Sequence, residues 1–178
     1  TWEEMLALGP EFVGSGVELF TIPGGVNLDT AYRFLPLLYK AGGRVFNDDW
    51  SAAAFNGPAG LATLEYLVSM KDQGFMPPAC AAYADDENTA FWCTGKAALS
   101  IEGPWWQTVL ADRYGFPLEK MQLIKVPHPV SLPGPHPSRT LLDLVMVSIT
   151  GYSLVPEERG QCLRCYGSKI RSGASPIG

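Results

Sequence analysis

Cationic side chains are scarce in this sequence: 13 Lys and Arg stand against 18 Asp and Glu, for a formal net charge of −5 and a pI near 5.0. A phosphate backbone is held by a concentrated positive field, and these few cations are scattered, so nucleic acid is not an expected partner. Long apolar runs are also missing. No stretch approaches the roughly 20 residues that cross a bilayer, and the amino terminus lacks the basic-then-apolar pattern of a signal peptide, which points to a soluble chain. Four cysteines, Cys80, Cys93, Cys162 and Cys165, are too few for a disulfide framework in 178 residues. The "CLRC" pair has redox spacing, yet it lies inside the helix expected after "VPEE" rather than at a strand-to-helix junction, so ordinary helix cysteines are the reading. The two histidines, His128 and His136, sit in "PHPVSLPGPHP", a proline-held extended loop, and no second pair of ligands has zinc-site spacing. Neither a metal nor a cofactor is expected, and no internal repeat or dividing linker is visible.

What remains is 47% hydrophobic and 17% charged, enough for one domain with a sizeable core or for one lobe of something larger. The chain begins at Thr1 rather than at Met, with Thr1 and Glu4 spaced as a capping box. A helix thus starts with nothing before it, and an upstream portion is expected. "NLDTAYRFLPLLYKAGG" predicts a helix over about 28–40, with a kink or break at Pro36. "NGPAGLATLEYLVSMKDQG" predicts the strongest helix, capped by Asn56, with Leu61, Leu64, Leu67 and Val68 on the face expected to enter the core. "DDENTAFWCTGKAALSIEG" reads as a helix with an acidic first turn, a Gly95 stop and a strand over about 97–101. "PWWQTVLADRYG" opens another helix, "MQLIKVPHP" and "LDLVMVSIT" are strands, and a last helix follows Pro156. Helices alternating with short apolar strands predict an α/β fold, a central sheet flanked by helices.

The stretch "SIEGPWW" at 100–106 raises a functional question, because two tryptophans follow a strand-ending Gly-Pro corner and both cannot easily reach a core. It lies within "AFWCTGKAALSIEGPWW", which, with "TWEE", "NLDTAYRFLPLLYKAGG" and "FNGPAGLATLEYLVSMKDQGFM", resembles the extracytoplasmic solute-binding proteins of ABC sugar importers, the maltose-binding protein type. The segment matches that family's Phe-x-x-Gly-Lys-x-Ala-Met-x-Ile-x-Gly-Pro-Trp pattern, with Leu99 where Met is common. The resemblance runs from Thr1 to about Thr150 and covers the carboxy-terminal lobe alone. It implies a type II periplasmic-binding-protein fold, with residues 1–178 forming a single α/β lobe that is truncated relative to the two-lobed family. It also implies sugar or oligosaccharide binding, with hinge closure of two lobes, ABC transporter membrane subunits as partners of the complete protein, and a periplasmic or membrane-tethered extracytoplasmic location.

By the same resemblance Trp105 and Tyr32 match sugar-stacking aromatics, and a ring stacked on the C–H face of a pyranose gains apolar burial while polar neighbours bond its hydroxyls. Trp106 is a further candidate, although core placement is the weightier reading for it. Asp29 and Glu102 are candidate hydroxyl acceptors, and Tyr152 in "TGYS" is a weaker ligand candidate. An enzyme is not expected: a glycosidase needs two carboxylates flanking a sugar bond, and adjacent pairs such as Asp48–Asp49 and Asp85–Asp86 do not supply that geometry. The alternative to sugar binding is a repurposed interaction module that self-associates. With its cleft face and a sheet edge uncovered, the lobe is expected to form a homo-oligomer.

Overall fold

A computed structural model describes residues 1–131 and 146–150. Its elements in chain order are α1 (Trp2–Leu8), β1 (Glu18–Thr21), α2 (Leu28–Lys40), α3 (Pro58–Asp72), α4 (Asp85–Cys93), β2 (Ala97–Glu102), α5 (Trp106–Tyr114), β3 (Met121–Ile124) and β4 (Met146–Thr150). The sheet order is β1-β2-β4-β3, with β1 parallel to β2 and the other two pairings antiparallel. This is the α/β architecture expected from the alternation of helical and strand patterns. The expected helix after Pro156 lies outside the described residues, as do Cys162, Cys165 and His136.

Helix starts follow their local chemistry. Thr1 accepts from the Glu4 backbone N–H at 3.1 Å, and the Glu4 side chain closes the capping box. Asn27 caps α2 through Thr30 N–H at 3.0 Å, and the helix continues through Pro36 to Lys40 as one assigned element. At α3 the expected cap moves by one residue: Gly57, not Asn56, is the N-cap, and no side chain bonds there. Pro58 occupies the first turn, where its missing N–H costs nothing.

Strand β2 is buried along its whole length, so both faces of the sheet are covered at this strand. One apolar cluster joins α1, α2 and α3 to the strands through residues such as Trp2, Leu37, Met70, Phe20 and Leu99. A second gathers Trp92, Trp106, Leu110 and Phe116 beneath α4 and α5. The amino terminus is tied to the segment after β3, with Trp2 Nε1 donating to the Pro127 carbonyl at 3.2 Å and Glu3 accepting from Val130 and Ser131.

Helix α3 departs from the expected orientation. Its buried residues are Gly60, Thr63, Tyr66 and Met70, whereas Leu61, Leu64 and Val68 are exposed. The reason is that the core side of this helix is set by close approach and by one large ring. Tyr66 stacks on Trp2 with centroids 4.5 Å apart and planes 6° apart. A Cβ on Gly60 would lie 1.6 Å from the Phe55 carbonyl oxygen. Of the four residues expected in the core, Leu67 packs against it part-buried, and Leu61, Leu64 and Val68 face away from it. Gly60→Ala, which in an open helix would stabilise by up to ~1 kcal/mol, is expected here to destabilise by about 1–3 kcal/mol through overpacking. Urea denaturation measures the sign, and a stabilised variant would refute the close approach.

Candidate functional site

The site grows from the carboxyl end of β2. Gly103 and Pro104 turn the chain, and Trp105 folds back over the turn so tightly that a Cβ on Gly103 would sit 2.0 Å from its ring. Glycine at 103 is therefore a packing requirement. The Trp105 ring lies over the Arg33 guanidinium, with Cζ 6.0 Å from the ring centroid, and remains 42% exposed. That is an aromatic surface with a cationic floor.

Arg33 projects from α2 and is 2% exposed. Its Nε donates to the Ile101 carbonyl at 3.2 Å, and its Nη2 donates to both Asp85 and Glu102. Nη1 faces Asp29 Oδ1 at 3.9 Å. Glu102 in turn accepts from Asn88 Nδ2 at 3.1 Å and Ser100 Oγ at 3.0 Å, and Thr21 Oγ1 donates to Asn88 Oδ1 at 2.7 Å. A buried polar chain thus runs from β1 through α4 and β2 to α2. Burial pushes the Glu102 carboxyl up to about 8, against the pull of the Arg33 guanidinium. Asp85 is also raised, first by burial and then by the neighbouring carboxylates Asp29 and Asp86, with Arg33 opposing.

The expected site residues divide accordingly. Trp105, Asp29 and Glu102 converge on Arg33. Tyr32, the residue before Arg33 on α2, is 37% exposed. Two candidates are enclosed by the fold. Trp106 is 2% exposed, with its ring 4.5 Å from that of Trp92 and its Nε1 donating to Thr89 Oγ1 at 2.9 Å; it is a core tryptophan with no free face. Glu102 is 1% exposed and accepts from Arg33, Asn88 and Ser100 beneath Trp105's corner. Tyr152 lies outside the described residues.

Sequence reasoning missed Arg33, Asn88 and Asp85 as partners. A signal was present for the first: Arg33 falls four residues before buried Leu37 and four after Asp29, on the inward face of α2. Two apolar depressions of about 460 and 580 Å³ lie elsewhere, between α2 and α3, and share Ala31, Phe34 and Leu64. Neither is lined by Trp105, Tyr32 or Asp29. Among the described residues no group of three or more His, Cys, Asp or Glu could hold a metal ion.

The raised Glu102 carboxyl has a definite sign in stability. The folded chain holds this proton more tightly than the unfolded chain, so the contribution is fully present below the ordinary value of 4.5 and is lost as pH rises through about 8. Glu102→Gln, which imitates the protonated form, is expected to flatten the fall in unfolding free energy between about pH 5 and 8. Denaturation midpoints at pH 5, 6.5 and 8 test it, and an unchanged slope would count against the assignment.

A sequence profile described as bacterial extracellular solute-binding protein matches residues 1–136. The probable amino-acid ABC transporter periplasmic-binding protein y4oP of Sinorhizobium fredii is 28% identical over 104 residues, which is 58% of this chain and 24% of that protein. Among solved structures, an ABC transporter solute-binding protein from Thermotoga lettingae bound with α-D-tagatose superposes with a TM-score of 0.65 at 19% identity, over 99% of this chain and 46% of that one. The maltose-bound MalE3 of T. maritima superposes with a TM-score of 0.63 at 20% identity, over 93% and 41% respectively. The chain thus spans less than half the length of each of these relatives, and its fold is that of part of a type II periplasmic-binding protein. With the profile covering most of its length, the chain belongs to the bacterial extracellular solute-binding protein family.

Proposed function

We propose that this chain is a carbohydrate-binding lobe that serves ABC-type import, non-enzymatic and extracytoplasmic, with Trp105 as the stacking surface. The observation that carries this reading is the Trp105 ring itself: a large half-exposed plane seated on Gly103 and on the Arg33 guanidinium, whose Nη1 faces Asp29. Sugars present the matching chemistry, an apolar C–H face ringed by hydroxyls, and binding sites for small ligands combine aromatic walls with a few fixed polar groups. Tyr32 would add a second aromatic on α2. The tagatose and maltose bound to the two solved relatives agree with this ligand class.

An amino-acid ligand, as the name of the Sinorhizobium relative would indicate, fits less well. Its α-carboxylate would lie beside Asp29 and Asp85, two carboxylates that already share the Arg33 guanidinium, and like charges placed together oppose binding. In the two-lobed arrangement, ligand contacts with both lobes would bias closure, and the closed form would be what transporter membrane subunits engage. We read residues 1–178 as one lobe of such a protein.

A saturable change in tryptophan fluorescence on adding oligosaccharide is expected, with loss of the response in Trp105→Ala and no loss of fold. Saturable binding of amino acids with silence toward every sugar would overturn the sugar reading. Trp106→Ala provides the contrast, since truncating a buried tryptophan costs about 3–5 kcal/mol; it should unfold at markedly lower urea than Trp105→Ala.

A second reading, self-association, is supported by a different observation. Leu61, Leu64 and Val68 present an exposed apolar stripe along α3, and such patches are association sites. Sedimentation at tens of micromolar tests it: a dimer weakened by Leu64→Glu supports the reading, and a monomer at all concentrations removes it.

A further inference from the structure

Arg33 carries more donors than the fold employs. Its guanidinium presents five N–H groups in one plane. Nε serves the Ile101 carbonyl and Nη2 serves Asp85 and Glu102. Nη1 makes no hydrogen bond among the described residues, although the side chain is almost wholly removed from water. What Nη1 faces is Asp29 Oδ1, 3.9 Å away and beyond hydrogen-bond reach. Asp29 sits in the first turn of α2 with 40% of its side chain exposed, so the donor adjoins solvent at the edge of the corner that Trp105 covers. A donor with spare capacity at the edge of a buried guanidinium, beside a half-open acceptor, can take a third group.

Resting on the sugar-binding reading above, we propose that Arg33 Nη1 and Asp29 form the polar edge of the ligand site beside Trp105. The donor and the acceptor engage two adjacent hydroxyls of a neutral sugar. Arg33 is at once a ligand contact and the positioning residue for the Trp105 ring. A vicinal diol fits this pair because each hydroxyl can both donate and accept: one accepts from Nη1 while its neighbour donates to Asp29. The same groups select by charge. A uronate would bring its carboxylate beside Asp29 and the partly exposed Asp85, with a single guanidinium shared among all three, and like charges placed together oppose binding.

The test uses the full chain and three probes, maltotriose, cellotriose and trigalacturonate, titrated by fluorescence against wild type, Arg33→Lys and Asp29→Asn. Asp29→Asn changes an exposed group isosterically, whereas Arg33→Lys keeps a cation but gives up the Nε bond to Ile101, so urea denaturation of each variant first establishes that it is folded. Each variant is expected to weaken the neutral trisaccharide that wild type binds best by about tenfold or more, the equivalent of one misplaced hydrogen bond to a charged group. Trigalacturonate is expected to bind wild type at least tenfold more weakly than that sugar, and Asp29→Asn is expected to narrow the gap. The positioning role is read without ligand: in 5-fluorotryptophan-labelled protein, Arg33→Lys should move the Trp105 fluorine resonance and leave those of Trp92 and Trp106 in place. Wild-type affinity in both variants, or equal affinity for trigalacturonate, overturns the proposal while sugar binding by wild type still stands. An unmoved Trp105 resonance overturns the positioning role. Silence of the wild type toward every probe removes both the sugar reading and this inference.

Discussion

The removal of the Arg33 guanidinium from water is the constraint on which the site depends. Burying such an ion costs several kcal/mol even after the surroundings relax, and the cost is offset when geometry and hydrogen bonds are both supplied. Here the supply comes from three elements at once: the Ile101 carbonyl and Glu102 on β2, Asp85 at the start of α4, and α2 itself, which carries the side chain. None of these can shift without leaving the cation short of a partner. The interaction therefore acts less as a source of net stability than as a register pin between helix and sheet.

Glu102 transmits that pin inward. Strand alternation places Ser100 and Glu102 on the same face of β2, where Asn88 bonds both and is itself held by Thr21 from β1. Each member of this chain satisfies the next, which is what a buried polar network must do to be tolerated. Carried outward, the same pin sets the floor of Trp105. The indole is trapped between a turn whose glycine leaves no room for a Cβ and a guanidinium that cannot move. An exposed tryptophan on a loop would ordinarily sample several rotamers, and this one is held by its underside while its outer surface stays open.

Much of the fold was legible because it is written in local chemistry. The Thr1–Glu4 box, the helix over 28–40, the acidic first turn of α4 and the Gly-Pro corner after β2 each depend on residues within a few positions of one another. The orientation of α3 was only partly legible: Leu67 does pack on the core, but Leu61, Leu64 and Val68, counted with it by spacing, are exposed, because the buried face, Gly60, Thr63, Tyr66 and Met70, is defined by the distant Trp2 ring and by the backbone of Phe55. In a helix with apolar residues on more than one side, periodicity does not decide which stripe turns inward. The site divides the same way. Of the two adjacent tryptophans, Trp106, for which a core place was the weightier reading, is enclosed by the ring of Trp92 and the hydroxyl of Thr89, and Trp105 stays half exposed. Arg33 went unnoticed because its partners lie 52 to 69 residues away, a separation across which no spacing rule operates.

The range of those partners also bears on how a lobe of this kind could bind. Among the described residues, the side-chain contacts of Arg33 and of the groups around it are made between residues 21 and 105, by elements that share one sheet and its covering helices. A ligand site built on them, as proposed above, would draw its polar framework from this part of the chain. Ordering of side chains and loops is among the main costs that separate gross contact energy from affinity, and here most of that cost would be met in folding. For the proposed sugar, contact area would limit affinity on such a surface, since one face of the ligand would remain in water. A second lobe closing over the outer face of the ligand would add area without having to organise this side, so closure would act on a site whose geometry is already set.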